Sequence, residues 1–278
     1  MSDQIHQRGR AAPDSWRRWL VGIAQAVRFF SRLPIPRLPF ESGDAHAAPA
    51  FSDLVRVVPV AGLIIAILPG LVLVLGLGLA FGPFLSAALA VATLTLMTGG
   101  LHEDGLSDTA DSFGGTTRER RLEIMRDSRI GSFGASALVL AFALRIGALA
   151  EIAGRSTALD AMLALAIAAS LSRTAALMPL SFLPPARSDG AAQAVGRPGR
   201  EASLFAAALA AGLAWALGFL TEFPLAGSSL MIAFAGAVGW FMTRFAERHL
   251  GGQTGDIAGA TQQLAEIAAL IGLLIALR

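Results

Sequence analysis

The stretch VVPVAGLIIAILPGLVLVLGLGLA, residues 57–80, contains no charged side chain. Its length exceeds the ~20 helical residues needed to cross the hydrocarbon core of a bilayer. Hydrocarbon offers no hydrogen-bond partner to the backbone, so a crossing segment of this kind folds as an α-helix. The stretch therefore predicts an integral membrane protein of the all-α class.

Six further apolar stretches follow along the chain. The 278 residues are 54% hydrophobic and 15% charged, whereas soluble domains carry about 25% charge. We predict a polytopic transmembrane helical bundle of about seven spans, of which the second and the last are the shortest. The six later stretches cover roughly residues 83–100, 133–153, 159–183, 202–221, 225–245 and 259–277.

The chain before the first span divides into two parts. Residues 1–14 are polar and we expect them to be mobile, whereas residues 15–278 form a single integral membrane catalytic domain. At the start of that domain, apolar side chains recur at helical spacing with arginines on the other sectors. The pattern predicts an N-terminal amphipathic interfacial helix, although a helix packed on the protein's own surface would carry the same pattern. The apolar side chains are Trp16, Trp19, Leu20, Ile23, Val27 and Phe30.

Arginine is concentrated in alternate loops. All 22 basic residues are arginine, and eighteen of them lie in segments that share one side of the membrane with the N-terminus. The positive-inside rule therefore predicts that the N-terminus and the active-site loops 101–132 and 246–258 are cytoplasmic. Because these arginines line membrane edges rather than one basic face, we expect a lipid bilayer and no nucleic acid as partner. Cysteine is absent, which excludes disulfides and thiolate chemistry.

An acidic motif, GGLHEDGLSDTADSFGG at residues 99–115, follows the second apolar stretch. Asp104, Asp108 and Asp111 are spaced i, i+4 and i+7, which places three carboxylates on one helical face. Like charges at this spacing weaken a helix, and a divalent cation such as Mg²⁺, which prefers hard oxygen ligands, removes that penalty. We predict that these three residues bind a metal; a solvated acidic loop is the alternative.

Two neighbours in the motif are candidates for proton transfer. Glu103 is expected to act as a base or beside the metal, and His102 to transfer a proton, although capping or packing explains the histidine equally well. Thr116 with Glu119 forms a capping box that starts the next short helix.

The segment after that helix carries further candidates. Arg126 and Arg129 are predicted to clamp phosphate oxygens, which a guanidinium matches bidentately, and Asp127 to complete the metal site. Contact with lipid headgroups is the alternative for the arginines here, above all for Arg118 and Arg120.

A glycine-rich loop, GGQTGD at residues 251–256, precedes the last stretch. Gly252 and Thr254 are expected to bind an anion, because a helix N-terminus presents free N–H groups and a positive dipole end. Asp256 is either a further metal ligand or the N-cap. Gln262, with Glu266 one turn later, is expected to bind substrate or to tie helices together.

Two arginines lie inside predicted spans, where charge is costly and faces polar cavities or a partner. Arg173 is expected to point toward substrate phosphates. Pairing with Glu151 gives a sufficient structural account of Arg145.

Three ordered segments of the chain resemble the cobalamin synthase family, also called adenosylcobinamide-GDP ribazoletransferase. The most specific is residues 99–111 followed by RLEIMRDSRIG, residues 121–131. FFSRLPIP, residues 29–36, is similar to the N-terminal signature of the family and includes Arg32, which we assign to substrate binding. GGQTGDIAGA, residues 251–260, is similar to the C-terminal signature of the family. Residues 184–201 look specific to this chain.

The resemblance implies a reaction and a location. Adenosylcobinamide-GDP would react with α-ribazole or its 5′-phosphate, releasing GMP and giving adenosylcobalamin or its phosphate. It further implies a bacterial inner-membrane enzyme that uses Mg²⁺ on Asp104, Asp108 and Asp111, with Glu103 and Asp127 nearby. Polytopic enzymes often associate, so a homo-oligomer or a complex with other cobalamin-assembly enzymes is an open expectation.

Two rival interpretations remain at this point. Another magnesium-dependent membrane phosphotransferase, of the CDP-alcohol or prenyl-diphosphate type, would use aspartates at other spacings. A transporter would favour polar groups at the membrane midplane and inverted repeats. The sequence leaves open whether the acceptor is the nucleoside or its phosphate, which base it carries, and which group takes the proton.

Overall fold

The computed structural model describes residues 15–41, 54–187 and 196–277, and its regular elements there are helices. The prediction of an all-α polytopic bundle is confirmed, whereas the expected mobile segment 1–14 lies outside the described residues. The helices are α1 (Ser15–Phe30), α2 (Val58–Gly78), α3 (Gly82–Thr98), α4 (Leu101–Asp111), α5 (Arg118–Ile124), α6 (Ser132–Arg155), α7 (Ala158–Ala175), α8 (Leu177–Phe182), α9 (Arg200–Gly218), α10 (Leu225–Leu250) and α11 (Gly255–Ala276).

Six helical segments in the described part of the chain are long and apolar enough to cross a membrane. The second predicted span differs from a simple crossing, because α3 has 17 residues and α4 continues from it at 90°. If this bent pair counts as one span, the total is seven. The bend lies at Gly99 and Gly100, whose φ angles of 67° and 72° fall in the left-handed region that favours glycine.

Helix α1 is amphipathic, as predicted, and its two halves differ. Trp16 and Leu20 in the first half are exposed, whereas Ala26 and Val27 in the second half are buried against the bundle. The chain after α1 is fixed by Glu41, a buried carboxylate that pairs with Arg28 and accepts the Leu38 backbone N–H at 3.2 Å. The anchor holds residues 31–41 close to the start of α4.

A buried polar network crosses the bundle. Arg145 on α6 donates to Glu103 on α4 at 3.0 Å and to Glu266 on α11 at 2.8 Å, and to Gln263 on α11 at 3.0 Å. The predicted pairing of Arg145 with Glu151 is wrong, because Glu151 is exposed and pairs with Arg155 one turn later. The buried positive charge of Arg145 is balanced by side chains of two other helices.

Gln262 extends this network to α7. Its amide nitrogen donates to Ser172 at 3.1 Å and to Glu266 at 2.8 Å, and its oxygen accepts from Gln263 at 3.0 Å. Of the two roles considered for Gln262, the structure therefore favours the tie between helices over substrate contact.

Helices α4 and α11 cross at van der Waals contact of their backbones. A Cβ added to Gly105 would lie 2.8 Å from the Asp256 carbonyl oxygen and 3.1 Å from the Gly259 Cα. Real Cβ atoms do not come this close to backbone, so a side chain at Gly105 would push the two helices apart. The crossing brings the acidic face of α4 next to the first turn of α11.

Removing the buried cation tests the network. We expect Arg145→Met to destabilise the protein by about 3–5 kcal/mol, because the Glu103 and Glu266 carboxylates would be left buried without a partner. Glu151→Gln, which breaks the exposed pair with Arg155, is expected to cost about 0–1 kcal/mol. Thermal unfolding in detergent, followed by circular dichroism, measures both. Equal melting temperatures for the two variants would contradict the assignment.

Replacing a crossing glycine tests the contact between α4 and α11. We expect Gly105→Ala to lower stability by about 1–3 kcal/mol, the usual cost of overpacking. The matched control is Gly147→Ala on α6, where an added Cβ meets nothing within 4 Å and alanine is the better helix former. A melting temperature for Gly105→Ala that matches or exceeds that of Gly147→Ala would show that the helices are not in contact there.

Candidate active site

A cavity of about 740 Å³ opens beside α4. Asp104 and Asp108 line one wall together with Ser107, and Arg32 lies on another wall, against Gly99. The cavity is thus bounded by the segment after α1, the α3–α4 hinge, α4 and the α5–α6 loop. Its remaining lining residues are Phe29, Ser31, Thr98, Gly100, Leu101, Glu103, Ser128, Ile130 and Leu138.

Asp111, the third carboxylate of the motif, has backbone partners. Its two oxygens accept the N–H groups of Gly131 at 2.7 Å and Gly134 at 2.8 Å. A Cβ on Gly134 would lie 2.3 Å from the Asp111 carboxylate, so glycine is what allows this approach. Asp111 therefore anchors the start of α6 on α4, which a carboxylate at a helix N-terminus does favourably.

Four carboxylates influence one another at this end of the bundle. Asp108 lies on α4, which is not one of the six helical segments long and apolar enough to cross a membrane by themselves. Burial, followed by the charges of Asp104, Asp256 and Asp111, raises the pKa of Asp108 to about 7. Asp256 accepts a hydrogen bond from Arg187 at 2.9 Å. The first turn of α11 thus contributes to the acidic cluster.

The donor set suits a hard divalent cation. In the described part of the chain, no three His, Asp or Glu side chains converge as a complete metal site. Magnesium retains waters and is held through one or two carboxylates plus substrate phosphates, so a complete protein cage is not required. The mutual repulsion that raises the Asp108 pKa is what a cation would relieve. Asp104, Asp108 and Asp256 therefore fit Mg²⁺ chemically.

Glu103 and His102, the two proton-transfer candidates, are both held by neighbouring side chains. One oxygen of Glu103 accepts from Arg145 and from Thr95, both at 3.0 Å, whereas the other is buried without a partner among the described residues. His102 is buried and stacks on Phe30 with ring centroids 6.1 Å apart. It is not among the cavity-lining residues, so packing accounts for this histidine.

Asp127 and Arg129 neutralise each other at the surface. The Arg129 guanidinium donates to both oxygens of Asp127, with a shortest distance of 2.6 Å. These bonds hold the pKa of Asp127 at about 2. Asp127 is not among the carboxylates that act on Asp108, and Arg126 is exposed on the same turn. The metal contact of Asp127 and the phosphate contacts of Arg126 and Arg129 stay predictions, and in the structure Asp127 and Arg129 pair with each other.

The arginines of α5 also differ from expectation. Arg118 donates to the carbonyl oxygens of Leu250 at 2.7 Å and Ala186 at 3.0 Å, so it caps α10 instead of facing lipid. The N-cap of α5 is Thr117, one residue after the predicted Thr116, and its side chain accepts from Arg120 N–H at 3.2 Å.

The first part of the glycine-rich loop is held by backbone contacts. Gly252 donates its N–H to Ala246, and a Cβ at Gly252 would lie 2.5 Å from the Pro184 oxygen. Thr254 is the N-cap of α11 and accepts from Ile257 N–H at 3.2 Å. The anion contact of Gly252 and Thr254 stays a prediction, and in the structure this loop packs against residues 184–186. Thr254 is the N-cap of α11, so the capping alternative for Asp256 is excluded.

Arg173 is buried in α7 and is not among the residues that line the cavity. Its guanidinium donates to the Ala169 carbonyl at 3.1 Å, and its Nε has no partner among the described residues. The predicted orientation toward a phosphate is not what the structure shows.

Arg187 is the site residue that the sequence did not reveal. It lies in residues 184–201, which match none of the family signatures, yet its guanidinium donates to Asp256. The two partners are 69 positions apart in the chain, and no local sequence pattern links them. A single arginine following the adjacent prolines Pro184 and Pro185 at the end of a span is the only available signal.

Comparisons with known proteins show the family to which the chain belongs. Curated relatives named adenosylcobinamide-GDP ribazoletransferase include one from Azorhizobium caulinodans, 47% identical over 93% of this chain and 97% of its own. Those from Rhizobium etli and Xanthobacter autotrophicus are 46% and 43% identical, over 93% and 91% of this chain and 98% and 95% of their own. No solved structure matches the chain significantly. The family model described as cobalamin-5-phosphate synthase matches residues 22–274, and the chain belongs to that family.

Proposed function

We propose that this chain joins adenosylcobinamide-GDP to α-ribazole or its 5′-phosphate, giving adenosylcobalamin or its phosphate and GMP. The relatives at up to 47% identity bear the name of this activity. The structural observation that carries the proposal is the cavity beside α4, which is lined by Asp104, Asp108 and Arg32. Family membership argues against the transporter and against the other phosphotransferases considered above.

The reaction is a displacement at phosphorus. A ribose hydroxyl of the acceptor forms a new P–O bond, the bond between that phosphorus and the GMP oxygen breaks, and the hydroxyl loses its proton. Positioning and neutralisation of charge supply most of the catalysis in such transfers. The cavity therefore has to position the two substrates and neutralise the charge at the reacting phosphorus.

Asp104, Asp108 and Asp256 are the residues that we propose hold Mg²⁺. The ion, when bound, neutralises the charge of the diphosphate and of the leaving phosphate. Arg32 on the opposite wall is proposed to contact phosphate oxygens, since its guanidinium is exposed there beside Gly99. Asp127 pairs with Arg129 at the exposed turn after α5, so we assign it no chemical role. Glu103 lines the cavity and has one oxygen without a partner among the described residues, so it remains our candidate for the group that takes the proton.

We also propose that the protein resides in the bacterial inner membrane with the α4 end in the cytoplasm. The arginine distribution supports this orientation, because eighteen of 22 arginines lie in segments on the side of α4 and the α10–α11 loop. The nucleotide substrates are then on the side of the membrane where nucleotides are made.

Neutralising the acidic face tests the function. With purified protein in detergent, adenosylcobinamide-GDP, α-ribazole and Mg²⁺, we expect Asp104→Asn and Asp108→Asn each to reduce GMP release at least about 100-fold. The control is Glu123→Gln, which alters an exposed carboxylate of α5 that pairs with Arg120. Full turnover by both aspartate variants, or undiminished turnover in excess EDTA, would refute the metal assignment.

The absence of cysteine allows a direct test of orientation. A cysteine replacing Glu123 on α5 is expected to react with a membrane-impermeant maleimide only after the membrane is permeabilised. A cysteine replacing Glu222, exposed in the α9–α10 loop, is expected to react in intact spheroplasts. The reverse labelling pattern would contradict the proposed topology.

A further inference from the structure

Arg187 is a cation placed inside the acidic cluster. Its guanidinium donates to Asp256 at 2.9 Å, with side-chain exposures of 15% for the arginine and 26% for the aspartate. In the protein without a bound metal, Arg187 thus supplies positive charge where the proposed function needs a divalent cation.

The backbone before Arg187 is fixed by several bonds. Ala186 N–H donates to the Gln253 oxygen at 2.9 Å, and Gln253 N–H donates to the Pro184 oxygen at 2.8 Å. Arg118 holds the Ala186 oxygen from the other side at 3.0 Å. This short parallel bridge fixes residues 184–186 to the loop before α11. The backbone therefore holds Arg187 next to Asp256.

The guanidinium retains capacity for another acceptor. Arg187 Nε is buried and has no hydrogen-bond partner among the described residues. Arginine presents five donors in a planar fork that matches phosphate oxygens, and a buried donor without a partner is costly. A phosphate entering beside Asp256 would supply the missing acceptor.

We propose that Arg187 is an exchangeable counter-ion: it competes with the divalent cation for Asp256 and, once displaced, binds a phosphate oxygen of the substrate diphosphate. The inference rests on the proposed function, since it assumes that Asp256 belongs to the metal site. Two cations cannot both be held closely by one carboxylate without repulsion, so metal entry weakens the Arg187–Asp256 bond. The released guanidinium lies next to the cluster, where the diphosphate is bound.

The test measures Mn²⁺ binding to the substrate-free full chain in detergent, from the electron paramagnetic resonance signal of free Mn²⁺. Arg187→Gln is expected to bind Mn²⁺ roughly 10-fold more tightly than the original protein, because a competing positive charge is removed. In an Asp256→Asn background the same substitution is expected to have a much smaller effect, because the direct competition for Asp256 is already gone. Arg155→Gln, which removes one charge from an exposed pair on α6, is the matched control and leaves the affinity unchanged.

The second measurement is the transferase assay. Arg187→Gln is expected to raise the KM for adenosylcobinamide-GDP at least about 10-fold despite tighter metal binding. Arg187→Lys keeps the positive charge but loses the planar set of donors that matches phosphate, so it is expected to retain the original Mn²⁺ affinity with an intermediate KM. If Arg187→Gln fails to fold, the KM of this variant still tests the phosphate contact.

Unchanged or weaker Mn²⁺ binding by folded Arg187→Gln would overturn the exchange, and an unchanged KM in both variants would overturn the phosphate contact. If the original protein released no GMP, the proposed function would fail, whereas the Mn²⁺ comparison would still decide whether Arg187 competes for Asp256.

Discussion

The contact of one buried guanidinium with two carboxylates holds the parts of this protein in register. Arg145 on α6 bonds Glu103 on α4 and Glu266 on α11, all three of them at most 9% exposed. Breaking such an arrangement leaves a charge where neither water nor another ion can reach it. The constraint fixes the rotation of α4, and because Glu103 faces the network, the neighbouring Asp104 faces the cavity.

The close crossing of α4 and α11 brings acidic residues of the two helices together at one site. Gly105 and Gly259 allow the backbones to touch, so Asp108 on one helix and Asp256 on the other influence each other's charge. Asp111 and Glu41 complete the frame, the first by holding the start of α6 and the second by holding the segment that carries Arg32. Within the motif, Asp111 and Glu103 have structural partners, which explains why the motif contains more acids than the metal requires.

Local patterns predicted the fold and the acidic face, since hydrophobic length and i, i+4 spacing are properties of neighbouring residues. The partners of Arg145, 42 and 121 residues away, were not predictable, and an exposed glutamate on the same helix was chosen instead. The same limit hid Arg187, whose partner is 69 residues away. Loop glycines were read as an anion site, yet Gly252 makes room for the Pro184 carbonyl, a contact between distant segments. Spacing along the chain thus identified which residues are acidic and aligned, but not which of them have tertiary partners.

The central claim is that carboxylates from α4 and α11 share one cation at the cavity wall. A crystal structure of the protein soaked with Mn²⁺, located by its anomalous scattering, tests it most directly. The account predicts an anomalous peak within coordination distance of Asp108 and at least one of Asp104 and Asp256. A peak at the exposed Asp127 turn instead, or full occupancy elsewhere with none at the cavity, would contradict it.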